Sequence, residues 1–287
     1  MAEGKNLKLT FYQKQELLCP VCGNAFHKEE LLSGGGRMNA GDLTEELHRE
    51  YRPTNKFGKV YPLLYPVTVC PSCFYASYPS DFQNPDGGRI SRLKDEIGDR
   101  KSMTKRLFPE LDFQINRRLQ EGIASYMLAV SSYESAQPYN APTLKQAFSC
   151  LRAAWLCMDS HKEKPDENYD YLAQIFYRKA GFLYNRVIEQ EQSGKESVEG
   201  VPHLGPDLDN NYGFDGVLYL AGYLEFKYGQ RSNPERRSAQ LKKARSTVSR
   251  IVGMGKSSKS KPSALLELAR DLHKKIKDEL DEIGIES

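Results

Sequence analysis

The sequence predicts a mainly α-helical protein with a small N-terminal zinc ribbon of a few short β-strands. Two observations carry this. Two Cys-x-x-Cys pairs, Cys19/Cys22 and Cys70/Cys73, each follow a short β-prone apolar run, Leu17-Leu18 and Val67-Thr68-Val69. From about Asp112 onward, apolar residues recur at spacings of three and four, the period of a helix. The expected organisation is a ribbon-like module over residues 1–80, with an insertion, and a connecting segment over 81–112. An antiparallel, tetratricopeptide-like helical domain over 113–253 and a basic linker with a C-terminal helix over 254–287 complete it.

The cysteine pairs carry the strongest chemical signal. They read Cys19-Pro20-Val21-Cys22-Gly23 and Cys70-Pro71-Ser72-Cys73-Phe74. Each can form a tight knuckle with both thiolates pointing inward, and the fixed φ of proline suits the turn. Two knuckles offer four thiolates, which matches the tetrahedral preference of Zn²⁺. A closed four-thiolate shell leaves no open position, so one structural ion is expected. A thioredoxin-like redox site fits less well, because that motif stands singly near a βαβ pattern. The 47 residues from Gly23 to Val69 make a long insertion between the knuckles. His27 and His48 lie within it; either could replace a ligand, but both are read as ordinary polar side chains. Gly23 can take a left-handed turn at no steric cost. Phe74 stands at the equivalent position, so the second knuckle is expected to be distorted or differently hydrogen-bonded.

The helical stretches are expected over 113–136, 143–159 and 166–192, with later ones at about 214–229, 235–253 and 262–283. Asn84-Pro85-Asp86-Gly87-Gly88 marks a turn, and Ile90 to Ser102 reads as a charged helix. Ile115, Leu119 and Ile123 open the apolar face of the first long stretch. Tyr171, Ile175, Phe176, Phe182, Leu183 and Val187 supply that of the third. Cys150 and Cys157 read as small buried side chains. Small and aromatic residues alternate around Ala147–Trp155 and Ala221–Leu224, as in stacked helical pairs. No clean repeat period accompanies them.

Charge is nearly balanced overall, at +3, but is unevenly placed. From Lys227 to Lys277 there are 15 Lys and Arg against 3 Asp and Glu, whereas Asp278 to Glu286 is acidic. The segment Gly253–Pro262 reads as a flexible basic linker. No apolar run approaches the roughly 18 residues of a membrane span, and Met1 to Gln15 has no secretory h-region. A cytoplasmic protein without membrane insertion is expected.

Leu18-Cys19-Pro20-Val21-Cys22-Gly23-Asn24-Ala25-Phe26, with Tyr61-Pro62-Leu63-Leu64-Tyr65-Pro66-Val67-Thr68-Val69-Cys70-Pro71-Ser72-Cys73-Phe74-Tyr75-Ala76, resembles an uncharacterised bacterial family catalogued as domain of unknown function 2225. The resemblance extends from about Leu17 to Val252. It implies a zinc-ribbon start followed by tetratricopeptide-like helices, with the four cysteines as metal ligands. It implies no activity. Phe74 departs from the glycine usual there.

No nucleophile elbow, His-Glu-x-x-His or phosphate loop occurs, so a non-catalytic role is expected. Asp207 to Gly213 has the alternating oxygens of a calcium loop but lacks its glycine and glutamate, and reads as a polar loop. The expected function is a zinc-binding adaptor or scaffold that presents a helical groove to a protein or peptide. Tyr177, Tyr184, Asn185, Tyr219, Tyr223 and Lys227 are the candidate groove residues. A nucleic-acid-associated factor using the ribbon and the basic segment 227–277 is the alternative. A metal-dependent enzyme with a scattered site is the third.

Overall fold

A computed structural model describes residues 8–252 and 262–284. The N-terminal strands pair in antiparallel twos. β1 (Thr10–Tyr12) lies on β4 (Glu29–Leu31), and β2 (Leu17–Leu18) on β3 (Ala25–Phe26). β5 (Ala40–Leu43) pairs with β6 (Arg49–Tyr51), and β7 (Thr68–Val69) with β8 (Ala76–Ser77). Two of these hairpins are copies of one design. Leu18 faces Ala25 across the first cysteine loop, and Val69 faces Ala76 across the second. The eight-residue segments Leu18–Ala25 and Val69–Ala76 share cysteines and proline in register.

Helices take over after β8. α1 (Pro79–Phe82), α2 (Gly87–Asp95) and α3 (Ile97–Leu107) cover the knuckles. The mainly helical body then follows as α4 (Leu119–Tyr133), α5 (Pro142–Glu163), α6 (Tyr169–Gln192), α7 (Gly213–Tyr228), α8 (Pro234–Val252) and α9 (Ser263–Ile283). Each packs on the next in chain order, and α7 also touches α9. Pro142 opens α5 at the position where a missing N–H costs nothing. α5 is the central helix, with Leu144, Ala147, Cys150, Leu151, Ala153, Ala154 and Cys157 fully buried between α4 and α6. Burial pushes the Cys150 thiol up to about 12. Gly222 brings α7 close to α8, because a Cβ there would run into the Val248 side chain.

Three expectations change. The first long helix begins at Leu119, not near 113, and Ile115 is exposed. Asp112 Oδ1 accepts the Gln114 N–H, and Glu121 reaches back to the Arg118 N–H as an N-terminal cap. These local bonds hold the chain in a turn until Arg118. The charged stretch 90–102 is two helices that meet at Glu96. On α6, the buried face is Ala173, Phe176, Tyr177, Ala180, Leu183, Tyr184 and Val187. Tyr171, Ile175 and Phe182 lie instead on its outer side, at 68%, 46% and 65% exposure. The basic linker lies, apart from Pro262, outside the described residues.

The hydrophobic core runs across residue 80. Leu47, Leu63, Leu64, Val67, Val69, Phe74, Ala76 and Tyr78 share one cluster with the long helices. A smaller cluster around the cysteines adds Val21, Tyr75, Phe82 and Leu93.

Candidate metal centre and helical groove

The two cysteine loops converge. The sulfurs of Cys19, Cys22, Cys70 and Cys73 all lie within 4.8 Å of one another. Cys19 Sγ is 3.6 Å from Cys73 Sγ, and Cys22 Sγ is 3.6 Å from Cys70 Sγ. A tetrahedral site with metal–sulfur bonds of ~2.3 Å has edges of about 3.8 Å, so the four sulfurs fit one ion. Neither His27 nor His48 belongs to the cluster. His27 bonds the Gln13 carbonyl oxygen and approaches Glu16.

Backbone geometry shows why each loop holds its sulfurs inward. The Gly23 N–H donates to the Cys19 carbonyl and the Cys19 N–H to the Asn24 carbonyl, both at 2.9 Å. The second loop repeats the pattern, Phe74 to Cys70 and Cys70 to Tyr75, again at 2.9 Å. Gly23 has φ +76° and Phe74 has φ +59°. The expected distortion of the second knuckle is therefore absent. Phe74 takes the left-handed turn at a cost of ~1–2 kcal/mol. Burial of its ring, edge-on to Phe113 and beneath the Lys101 ammonium, offsets that cost.

The charge balance favours a cation. Hydrogen bonds from the Cys70 and Cys73 thiols, with the Val21 and Cys22 N–H groups adding to them, hold Cys19 down to about 2 against its burial. The same contacts with the Cys19 thiolate push Cys70 up to about 12 and Cys73 up as well. α3 brings positive charge alongside. Arg100 donates to the Cys73 carbonyl at 3.2 Å and to the Leu93 carbonyl at 2.8 Å, and Lys101 donates to the Ser72 carbonyl at 3.0 Å. Arg100 Nη1 is buried with no hydrogen-bond partner among the described residues and lies 3.9 Å from the Glu96 carboxylate. A buried arginine there suits a centre that carries net negative charge when four thiolates hold one divalent ion.

The candidate groove residues divide. Tyr177, Tyr184, Tyr219 and Tyr223 are buried. Burial raises all four phenols, most simply at Tyr184, whose hydroxyl has no hydrogen-bond partner among the described residues. Tyr177, Tyr219, Tyr223 and Lys227 converge on the tip of the β5–β6 hairpin. Glu46 is the hub there. Its carboxylate accepts from Trp155 Nε1 at 2.5 Å, Tyr177 at 2.9 Å, Lys227 at 2.9 Å and Tyr228 at 2.6 Å. Glu45 beside it receives Tyr219 on its carbonyl, and Tyr223 and Lys275 on its carboxylate.

No local pattern in the sequence marks this hub, because its partners lie more than a hundred residues away. A second long-range contact was equally hidden. His48 Nδ1 is 2.6 Å from the buried Asp207 carboxylate, and its ring stacks on Trp155 at 4.2 Å. Asp207 also accepts the Arg49 and Leu208 N–H groups. Burial pushes the Asp207 carboxyl up, but these bonds outweigh it and leave the group below its ordinary value. The polar loop reading of 207–213 holds in this respect, since Asp207 is committed to protein donors. A cavity of about 440 Å³ lies beside Glu46 and Trp155.

Asn185 falls elsewhere. Its side chain donates to the Gly181 carbonyl, and it lines a groove of about 680 Å³ between α6, α8 and the end of α7. Within the basic segment, Lys227, Arg231, Arg237, Lys243 and Lys275 all pair with protein carboxylates. No helix among the described residues is long and apolar enough to cross a membrane.

Fold and site together define a class: a mainly helical protein opened by twin knuckle hairpins around a four-cysteine cluster able to hold a metal ion. The chain belongs to the family described as "Uncharacterized protein conserved in bacteria" (DUF2225), whose model matches residues 12–276. It is similar to a Borreliella burgdorferi protein described as "Uncharacterized protein", with 44% identity over 273 residues covering 95% of this chain and 98% of the relative. No solved structure matches the chain.

Two outcomes follow. Cys22→Ser should lower bound metal to well below one ion per chain, measured by elemental analysis of the purified protein, because ligand number sets affinity and part of the folding free energy. Unchanged metal content would rule out the four-sulfur assignment. Glu46→Ala should destabilise by on the order of 3 kcal/mol, since it removes the shared acceptor of the buried Trp155 and Tyr177 donors and of the Tyr228 and Lys227 donors beside them. Calorimetry should then show a thermal midpoint lower by roughly 6–12 °C, and the emission of the single tryptophan should shift.

Proposed function

We propose that the protein is a non-catalytic interaction adaptor, folded around one structural zinc ion and using its helical face to hold a protein or peptide. The observation that carries this is the outer stripe of α6. Tyr171, Ile175 and Phe182 place three large apolar side chains in solvent on one helix face, beside a groove. Exposed apolar surface next to a concavity suits a partner.

Zinc fits the centre better than other ions, because four thiolates on two knuckles match its tetrahedral preference. A closed shell assigns the ion to architecture, not to catalysis. The best-placed polar groups are also fully engaged: Glu46 by four donors, and Asp207 by His48 and two amides. Thiolates held as metal ligands suit a reducing compartment, so the cytoplasm is the proposed location. The nucleic-acid alternative draws on the basic segment, where five of the fifteen Lys and Arg pair with carboxylates of the protein itself.

Affinity capture of the tagged full chain from its native cells, with and without nuclease, tests the reading. One or a few proteins should remain bound at near-stoichiometric yield after nuclease. Loss of all co-purifying material on nuclease treatment would contradict it.

A further inference from the structure

We infer that the groove between α6 and α8 binds an acidic peptide segment carrying an apolar side chain, a refinement that rests on the adaptor reading. The argument begins with α6. Tyr171, Ile175, Arg178, Phe182, Asn185 and Glu189 follow one another at spacings of four and three, so they form a single stripe along the helix. Three apolar side chains and Arg178 share it ahead of Asn185 and Glu189, and Arg186 flanks it. Opposite, α8 contributes Arg236, Gln240 and Lys243 to the same groove.

Charge decides the kind of occupant. The groove has two carboxylates, and both are taken. Glu189 pairs with Lys243 at 3.0 Å, and Glu225 with Arg237 at 4.0 Å. Among the described residues, Arg178, Arg186 and Arg236 pair with no carboxylate, and all three are exposed. Three guanidiniums free to bond in a concave site select for carboxylates, which accept their paired N–H groups in fork geometry. Leu224 and the 65%-exposed Phe182 give the same groove an apolar wall. Peptide carboxylates and an apolar side chain would satisfy both features at once. Nucleic acid would satisfy the arginines but leave the exposed Phe182 without an apolar partner.

The floor is rigid enough to hold a ligand in register. Gly181 lets α6 approach α7 so closely that a Cβ there would sit 3.3 Å from Leu224 Cβ. Asn185 is fixed by its bond to the Gly181 carbonyl at 3.0 Å, and among the described residues nothing donates to its side-chain oxygen, which can accept a peptide N–H.

Three probes test the inference on the metal-loaded full chain by fluorescence anisotropy. They are a fluorescein-labelled peptide of glutamates with a central leucine and phenylalanine, the same peptide with lysine for glutamate, and a single-stranded oligothymidylate. The acidic peptide should bind at least tenfold more tightly than the lysine peptide. Arg186→Glu and Phe182→Ser, both on exposed positions, should each weaken it at least tenfold while metal content and helicity stay unchanged. Arg270→Glu, on the exposed side of α9, should leave it as it is. Equal binding of the two peptides, or indifference to both groove variants, would overturn the assignment. Oligothymidylate that binds more tightly than the acidic peptide and is lost in Arg186→Glu would overturn it in favour of nucleic acid. If the groove variants still retain the partners captured from cells while the acidic peptide fails, the adaptor reading stands and this groove is not its site.

Discussion

Convergence of four cysteine sulfurs on one point is the constraint from which the N-terminal half is built. Cys22 and Cys70 are separated by 47 residues, yet their sulfurs lie 3.6 Å apart. Closing so long a loop costs entropy that grows only slowly with its length, and a metal bond to both ends would offset it. The two knuckles meet as near copies, down to the left-handed residue that ends each turn. That Phe74 accepts this conformation shows the loop geometry overriding local preference, with burial of the ring as compensation. Arg100 and Lys101 then tie α3 to the backbone of the second knuckle.

What the loop carries is as important as what closes it. The β5–β6 hairpin projects Glu45 and Glu46 into the helical layer, where tyrosines from α6 and α7 and the tryptophan of α5 meet them. A buried carboxylate that accepts four hydrogen bonds is stable only when every donor is in place. The hub therefore specifies how the N-terminal half sits on the helices. His48 and Asp207 repeat the device one turn away, joining the hairpin to the loop before α7. Several conspicuous polar residues are thus consumed in holding the halves together. The outer face of α6 is left as the surface that stays open.

Much of this was legible in the sequence. The paired Cys-Pro-x-Cys motifs announced their own geometry, because their spacing and flanking strands are local properties. The long helices were readable from apolar period and from Pro142. Which face of α6 is buried was not, because Tyr171, Ile175 and Phe182 are as apolar as the residues that do pack. A helix with two apolar faces gives one period and two solutions, and only the neighbours decide. Tyr177 and Lys227 are both candidate groove residues, but their common partner Glu46 is visible only in three dimensions. Ile115 lies outside the helix because side-chain bonds from Asp112 and Glu121 start the helix later than its apolar pattern does.

X-ray absorption at the metal edge of the protein purified from its native cells tests the central claim most directly. A zinc edge with a single first shell of four sulfurs at about 2.3 Å is the expected result. A shell containing nitrogen or oxygen, or an edge from another metal, would contradict it.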